Sequence, residues 1–392
     1  MHLLQTHGML SFSLAARNFR GLRVAEWEIP AGLSVVVGPN GSGKSTLLRA
    51  FEFLATLAGA GVDRAVQYTG GRVGLRHFDA GDEPIEFSMR LGDLEWKVVL
   101  PFSGPSTDAL FQEEIRWKGT AQMSYAAGSI RGTLLDAQED RKPGESQLLR
   151  YANALGKNTE SNAILFLVQY RLLQWLEPSK YWSSRTYDLA RLRRSGSPSD
   201  SDTTLSADGT NVWSVLRNWR DKRETRARYD FVIAGMRDAF AAHFEDLDFE
   251  FTAQQVSGRV YVPGRKESLP FHLFSDGWMT GLLHLSAIAS TRSQGLFILD
   301  EPENSLHPHA IRSIFRSMSA WAEKEGLTGV FATHSPVVLN QLKDRGRVFV
   351  IEPGLAQTPT PLDEHPNAEW LSHFSVGDAY ANEEVGAPRA AE

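Results

Sequence analysis

Gly38-Pro39-Asn40-Gly41-Ser42-Gly43-Lys44-Ser45-Thr46 follows an apolar run, Leu33-Ser34-Val35-Val36-Val37, and opens a helical pattern, Leu47-Leu48-Arg49-Ala50-Phe51. A strand, a glycine-rich turn and a helix N-terminus in that order are what a phosphate-binding loop requires. Glycine lets the backbone come close to a triphosphate and turn with positive φ. The amides of Asn40, Gly41, Ser42, Gly43, Lys44, Ser45 and Thr46 can then gather around phosphates at the positive end of the helix. Lys44 is expected to bridge the β- and γ-phosphates of ATP, and the Ser45 hydroxyl to ligate Mg2+.

The chain around this loop has 392 residues, enough to bury a large core in one elaborated domain or two. Its net charge of −6 makes it no polycation, so contact with DNA or RNA would need a local basic patch. The absence of cysteine excludes disulfides and thiolate metal sites. Residues 1–8 lack the basic region and apolar core of a signal peptide, and no apolar run approaches the ~18 residues of a membrane span. A cytoplasmic protein with no membrane contact is expected.

Around the loop, residues 9–71 read as the first part of a nucleotide-binding core, with strands at 10–14 and 23–29. Between these strands, Asn18-Phe19-Arg20-Gly21-Leu22 is a turn that could edge the nucleotide site. Residues 72–140 hold short, turn-bounded segments at 84–91, 94–100, 111–117 and 121–125, which predict an antiparallel β subdomain. Residues 141–244 form a helical insertion. Its pattern runs through Leu148, Leu149, Ala152, Leu155, Ile164, Leu167, Val168, Leu172 and Trp175. Within it, the polar stretch 195–202 predicts a mobile loop, and Asp208-Gly209-Thr210-Asn211 caps a helix from 212 to about 243. Residues 245–352 return to the core, and 353–392 are a tail.

Three further motifs belong with the loop. Leu296-Phe297-Ile298-Leu299-Asp300-Glu301 is an apolar strand ending in two acids. Asp300 is expected to hold the Mg2+ shell and Glu301 to polarise the attacking water. Val330-Phe331-Ala332-Thr333-His334 is a second such strand, and places His334 where a γ-phosphate sensor would stand. Phe274-Ser275-Asp276-Gly277-Trp278 precedes a helical run and could make another anion site, although by themselves these residues favour a helix N-cap. His307 and His309 flank Pro308 without a third metal ligand, so a turn and a surface role are expected for them.

These motifs, in this order, resemble the ATP-binding-cassette ATPases of the SMC-like, RecF-like and OLD-like branch. The resemblance assigns Gly38 to Thr46 as Walker A, Phe274 to Trp278 as signature, and Asp300-Glu301 as Walker B. It makes Asn304-Ser305-Leu306-His307 the D-loop and His334 the switch histidine, and it extends to Asn18-Phe19-Arg20 and to Asp208-Gly209-Thr210-Asn211. It implies an α/β fold: a P-loop NTPase of ABC-ATPase type, its parallel core sheet flanked by helices, with an antiparallel β subdomain and an inserted helical lid. It also implies that Lys44, Glu301 and His334 are catalytic. Two chains would close head to tail around two ATP molecules, with Ser275 and Gly277 of one reading the γ-phosphate held by the other. The signature departs from the transporter Leu-Ser-Gly-Gly-Gln form, and the nearest candidate for a glutamine loop is Gln67.

Three function classes compete. An ATP-driven switch acting on DNA or a partner effector, in repair or anti-phage defence, fits the resemblance best. The energy subunit of a membrane transporter would need a clear glutamine loop. A kinase would not need Ser275, Gly277 and His334, and a self-contained nuclease would need an acidic metal domain that Glu352, Asp363 and Glu364 are too sparse to make. The resemblance implies effectors that this chain lacks, so a separate effector protein, such as a nuclease, is expected, with residues 370–380 as a candidate contact or a segment packed on its own domain. A basic block, Arg191, Arg193 and Arg194 with Arg217, Arg220, Lys222, Arg223, Arg226 and Arg228, is the candidate nucleic-acid face.

Overall fold

A computed structural model describes residues 12–71, 74–101, 112–126, 129–132, 181–252, 254–342, 344–352, 354, 356–373 and 375–381. The first two strands alternate apolar and polar residues. β1 (Phe12–Phe19) buries Phe12, Leu14, Ala16 and Phe19, while β2 (Leu22–Ile29) buries Leu22, Ala25, Trp27 and Ile29. β3 (Gly32–Val37) is instead buried without a break from Leu33 to Val37, as a strand covered on both faces must be. β4 (Ile85–Leu91), β5 (Leu94–Leu100), β6 (Gln112–Trp117), β7 (Thr120–Ala126) and β8 (Ser129–Gly132) match the four expected segments to within a residue and add one more. The antiparallel sheet has the order β2-β1-β4-β5-β6-β7-β8. The N-terminal hairpin, expected within the nucleotide core, is thus the start of this sheet, because the free edge of β1 pairs with β4 from Phe12–Leu91 to Arg17–Glu86.

The helical pattern at 145–176 lies outside the described residues. The chain from Tyr181 onward is not an appended lid. β9 (Tyr181–Ser183) is a strand of the core sheet, with Trp182 fully buried against Phe297 at 5.5 Å between ring centroids. The helix expected from 212 to 243 is two, Val212–Asp221 and Arg226–Ala239. Four consecutive charges, Asp221-Lys222-Arg223-Glu224, stay exposed at the break, and both flanking helices can then bury their faces in one core. The polar stretch 195–202 is held rather than loose. In it, β10 (Ser197–Pro198) joins a small sheet with β11 (Asp246–Phe251), β12 (Gln255–Tyr261) and β13 (Leu269–Pro270). Asn218 Nδ2 also donates to the carbonyls of Asp200 (3.0 Å) and Asp202 (2.7 Å). Asn211 stands at the start of its helix but does not cap it; its amide group donates to Asp202 and Thr204 instead.

β14 (Leu296–Asp300), β15 (Thr328–Ala332), β16 (Val348–Val350) and β17 (Thr360–Pro361) complete the central sheet, ordered β17-β16-β3-β15-β14-β9. All its neighbours are parallel except β16 and β17. Residue parity sorts its two faces. Val35, Val37, Phe297, Leu299 and Phe331 pack on the helices Val212–Asp221, Arg226–Ala239, Asp276–Ser290 and Pro308–Glu325. Val36, Leu296, Ile298, Val330 and Ala332 pack on the helix Lys44–Ala60 and the antiparallel sheet. Because β15 inserts between β3 and β14, the carboxyl ends of β3, β15, β14 and β9 line one edge in that order, where ligands bind in open parallel sheets. Among the described residues, no helix is long and apolar enough to cross a membrane.

Candidate functional site

The helix Lys44–Ala60 begins directly after Gly43, whose φ of 101° is the left-handed region that favours glycine. A Cβ there would also lie 2.7 Å from Leu22 Cδ2. The turn between β1 and β2 therefore lies against the loop, as expected, with Gly21 beside Thr46. Asn18 and Phe19 serve the fold instead: Asn18 donates to the Pro84 carbonyl, and Phe19 packs between Phe53 and Phe87. Lys44 is buried, and its Nζ donates to the carbonyls of Gly38 and Pro39, both at 2.8 Å. Burial pushes its ammonium down to about 8, against the opposing pull of Asp300 and Glu301. Ser42 is fully buried, and its hydroxyl has no hydrogen-bond partner among the described residues.

Asp300 closes β14 in a buried position. The Tyr181 hydroxyl donates to its Oδ2 at 3.2 Å, and the Ser45 hydroxyl also bonds to its carboxylate. Burial raises the Asp300 pKa; the Ser45 and Tyr181 bonds pull the other way. Its Oδ1 is buried without a hydrogen-bond partner among the described residues. An unsatisfied carboxylate oxygen beside a serine hydroxyl is a hard-oxygen pair that suits Mg2+. Among the described residues no group of three or more His, Asp or Glu could hold a metal, so such an ion would fill its shell with phosphate and water.

Glu301 sits at φ 51°, a costly backbone for a non-glycine residue, fixed by its amide donating to the Ala332 carbonyl at 2.8 Å. Its carboxylate is fully engaged. Arg185 approaches Oε1 at 2.7 Å and Oε2 at 2.5 Å, and Asn304 Nδ2 donates to Oε2 at 2.8 Å. Ser184 donates to the Glu301 carbonyl at 3.1 Å. The His334 amide donates to Glu303 Oε1 at 2.9 Å, and its ring Nδ1 lies 2.8 Å from the Tyr380 hydroxyl. Burial, and then the charge of Lys44, hold His334 below its ordinary pKa.

Ser275 caps the helix Asp276–Ser290, its Oγ accepting from the Trp278 amide at 3.3 Å. Arg193 fixes the turn, donating to the Phe274 carbonyl at 2.9 Å and pairing with Asp276 at 2.5 Å. A Cβ on Gly277 would lie 2.3 Å from the Ser305 carbonyl oxygen, so signature and D-loop meet backbone to backbone. His307 caps the helix Pro308–Glu325. Gln67 is exposed on the helix Val62–Tyr68 and has no part in the site's contacts. Much of the basic block is engaged internally: Arg217 on the Asp200 carbonyl, Arg220 with Asp221 and Asp248, Arg226 with Asp230, and Arg228 over the Trp219 ring.

The sequence assigns no site role to Tyr181, Ser184 or Arg185, and points to Glu303 and Tyr380 only as members of the motif 301–308 and the tail segment 370–380. One signal was readable: Tyr181-Trp182-Ser183 followed by Ser184-Arg185 repeats the pattern of an apolar strand ending in polar residues, seen at Asp300 and His334.

One family matches residues 33–154 and 168–340; its description is "AAA domain, putative AbiEii toxin, Type IV TA system". No curated protein matches the sequence. Similar solved structures include an SMC head domain from Thermotoga maritima, 11% identical, covering 90% of this chain and 98% of that one at a TM-score of 0.47. Another is an SMC head bound to the C-winged helix domain of ScpA, 10% identical, covering 89% of this chain and 96% of that one at a TM-score of 0.51. At such identity the second speaks for the fold alone. The family match spans more than half of the chain, which therefore belongs to this AAA-domain family and has the α/β fold of an ABC-type P-loop protein.

Proposed function

We propose that the chain binds ATP between the loop 38–46 and the carboxyl ends of β14 and β15, hydrolyses it, and uses the cycle to close two copies head to tail. The observation that supports this most is the meeting of Lys44, Ser45, Asp300, Glu301 and His334 on one sheet edge. Ser45 and Asp300 would hold Mg2+, which when bound supplies charge neutralisation between β- and γ-phosphates. Lys44 exchanges its loop carbonyls for phosphate oxygens, which are stronger acceptors because they are charged. Glu301 takes a proton from water once its carboxylate is free of Arg185, an ion pair whose arginine is largely exposed. Steady-state phosphate release, with and without DNA, tests the reading; no ATP-dependent release under either condition would sink it.

The depressed pKa of Lys44 gives a signed prediction. Above about pH 8 the nucleotide-free loop has lost the proton that phosphate contact favours, and binding must take one up. ATP affinity should therefore fall as pH rises through 8, approaching about tenfold per pH unit. Calorimetric titration from neutral to alkaline pH measures it, and an unchanged affinity would exclude a buried, low-pKa Lys44.

Ser275 and Gly277 are assigned to the partner copy's ATP. Ser275→Arg should leave affinity for the first nucleotide within about twofold and abolish ATP-dependent dimerisation, since the bulky cation occupies the closing face. Loss of nucleotide binding by the monomer would show that the trans assignment is wrong. The family description names a toxin of a type IV toxin–antitoxin system, which supports a defence setting for this chain and a separate effector protein, such as a nuclease, as partner. Nucleic acid is the weaker candidate, because Arg217, Arg220 and Arg226 are engaged within the chain.

A further inference from the structure

The C-terminal tail reaches the candidate phosphate sensor. The helix Val376–Ala381 packs on the short helix Pro336–Leu339, which begins two residues after His334. The docking is close: the Gly377 amide donates to Asn340 Oδ1 at 2.8 Å, and a Cβ on Gly377 would lie 2.4 Å from the Pro336 carbonyl oxygen. Val376 and Ala379 are buried in the core shared with the parallel sheet. Tyr380 is therefore held by a packed element, and its hydroxyl stands 2.8 Å from His334 Nδ1. Glu303 fixes the other end of the same residue through the His334 amide.

We propose that Tyr380 is a positioning residue that sets the tautomer of His334, holding the ring with its proton on Nε2. A phenol hydroxyl is a good donor, and an unprotonated imidazole nitrogen a good acceptor. The Tyr380 hydroxyl therefore donates to Nδ1, and the ring proton is left on Nε2. That tautomer offers an N–H to a phosphate oxygen. The opposite one would present a lone pair to an anion. Burial supports the assignment by pushing Tyr380 up and His334 down in pKa, so that near neutral pH the phenol keeps its proton and the ring carries one. The inference rests on the proposed role of His334 as γ-phosphate sensor, but the tautomer itself does not.

The test uses the full chain labelled with 15N-histidine, with the His334 signals assigned by their loss in His334→Asn. A long-range 1H–15N spectrum of the wild type should show Nδ1 unprotonated and Nε2 protonated. In Tyr380→Phe the two nitrogens should shift towards tautomer averaging. Turnover at saturating ATP should fall roughly tenfold, the loss expected when one hydrogen bond to a charged group is weakened. ATP affinity should stay within about twofold, because Lys44 and the loop amides carry ground-state binding. A wild-type ring protonated on Nδ1, or a Tyr380→Phe ring with an unchanged tautomer, would overturn the proposal. The wild-type spectrum decides even if the variant folds poorly. A wild type without ATPase activity would instead count against the proposed function and leave the tautomer result standing.

Discussion

Lys44→Ala is expected to weaken ATP binding by roughly two to three orders of magnitude, the loss of charge-assisted contacts to two phosphates. Its effect on the nucleotide-free fold should be far smaller. A buried ammonium whose pKa lies below that of an exposed lysine costs stability in its charged form. That cost is present in full below about pH 8 and fades as the pH climbs towards 10.5, the ordinary lysine value. Removing the side chain relieves the desolvation, though it leaves the Gly38 and Pro39 carbonyls without their donor. Calorimetry should thus show binding lost, while a thermal melt without nucleotide stays close to wild type. A variant that melts early would mean that Lys44 is a structural tie before it is a phosphate ligand.

Glu301→Gln should reduce turnover about 10²- to 10⁴-fold, the range for removing a general base, with ATP affinity nearly unchanged. The substitution keeps the shape that occupies φ 51° and the contact to Asn304. It removes the charge that Arg185 pairs with. Two effects then add: hydrolysis stops, and the latch that ties the acid in the nucleotide-free state is weaker. ATP should accumulate on the variant in a closed, long-lived complex. Single-turnover kinetics separates this from a binding defect, and a fully active Gln variant would remove Glu301 from the base role.

The parallel core was legible because β3, β14 and β15 are mainly apolar runs, each ending in residues with chemistry. β9 was harder to read, because the same pattern is confined to Tyr181-Trp182-Ser183 and Trp182 looks like any buried aromatic. The split at 222–225 was hidden for a different reason. Amphipathic spacing continues across it, and only the four charges at the break mark where the chain must turn. The loop 195–202 looked mobile because its side chains are polar, but its carbonyls are satisfied by Arg217 and Asn218, partners that only the folded chain brings near. Arg185 and Tyr380 belong to the same class: each meets the site across more than forty residues of sequence, at Glu301 and His334 respectively.

The Ser275 and Gly277 reading bears most on what ATP does here. Both residues lie at a turn where Ser275 caps its own helix, and Gly277 is also needed for its close approach to the Ser305 carbonyl. Solution mass decides between a local turn and half of a shared site. Glu301→Gln, measured by light scattering with MgATP, should double in mass from the 43.6 kDa chain and return to it when Ser275→Arg is added. A variant that binds ATP yet keeps one mass with and without it would contradict the account.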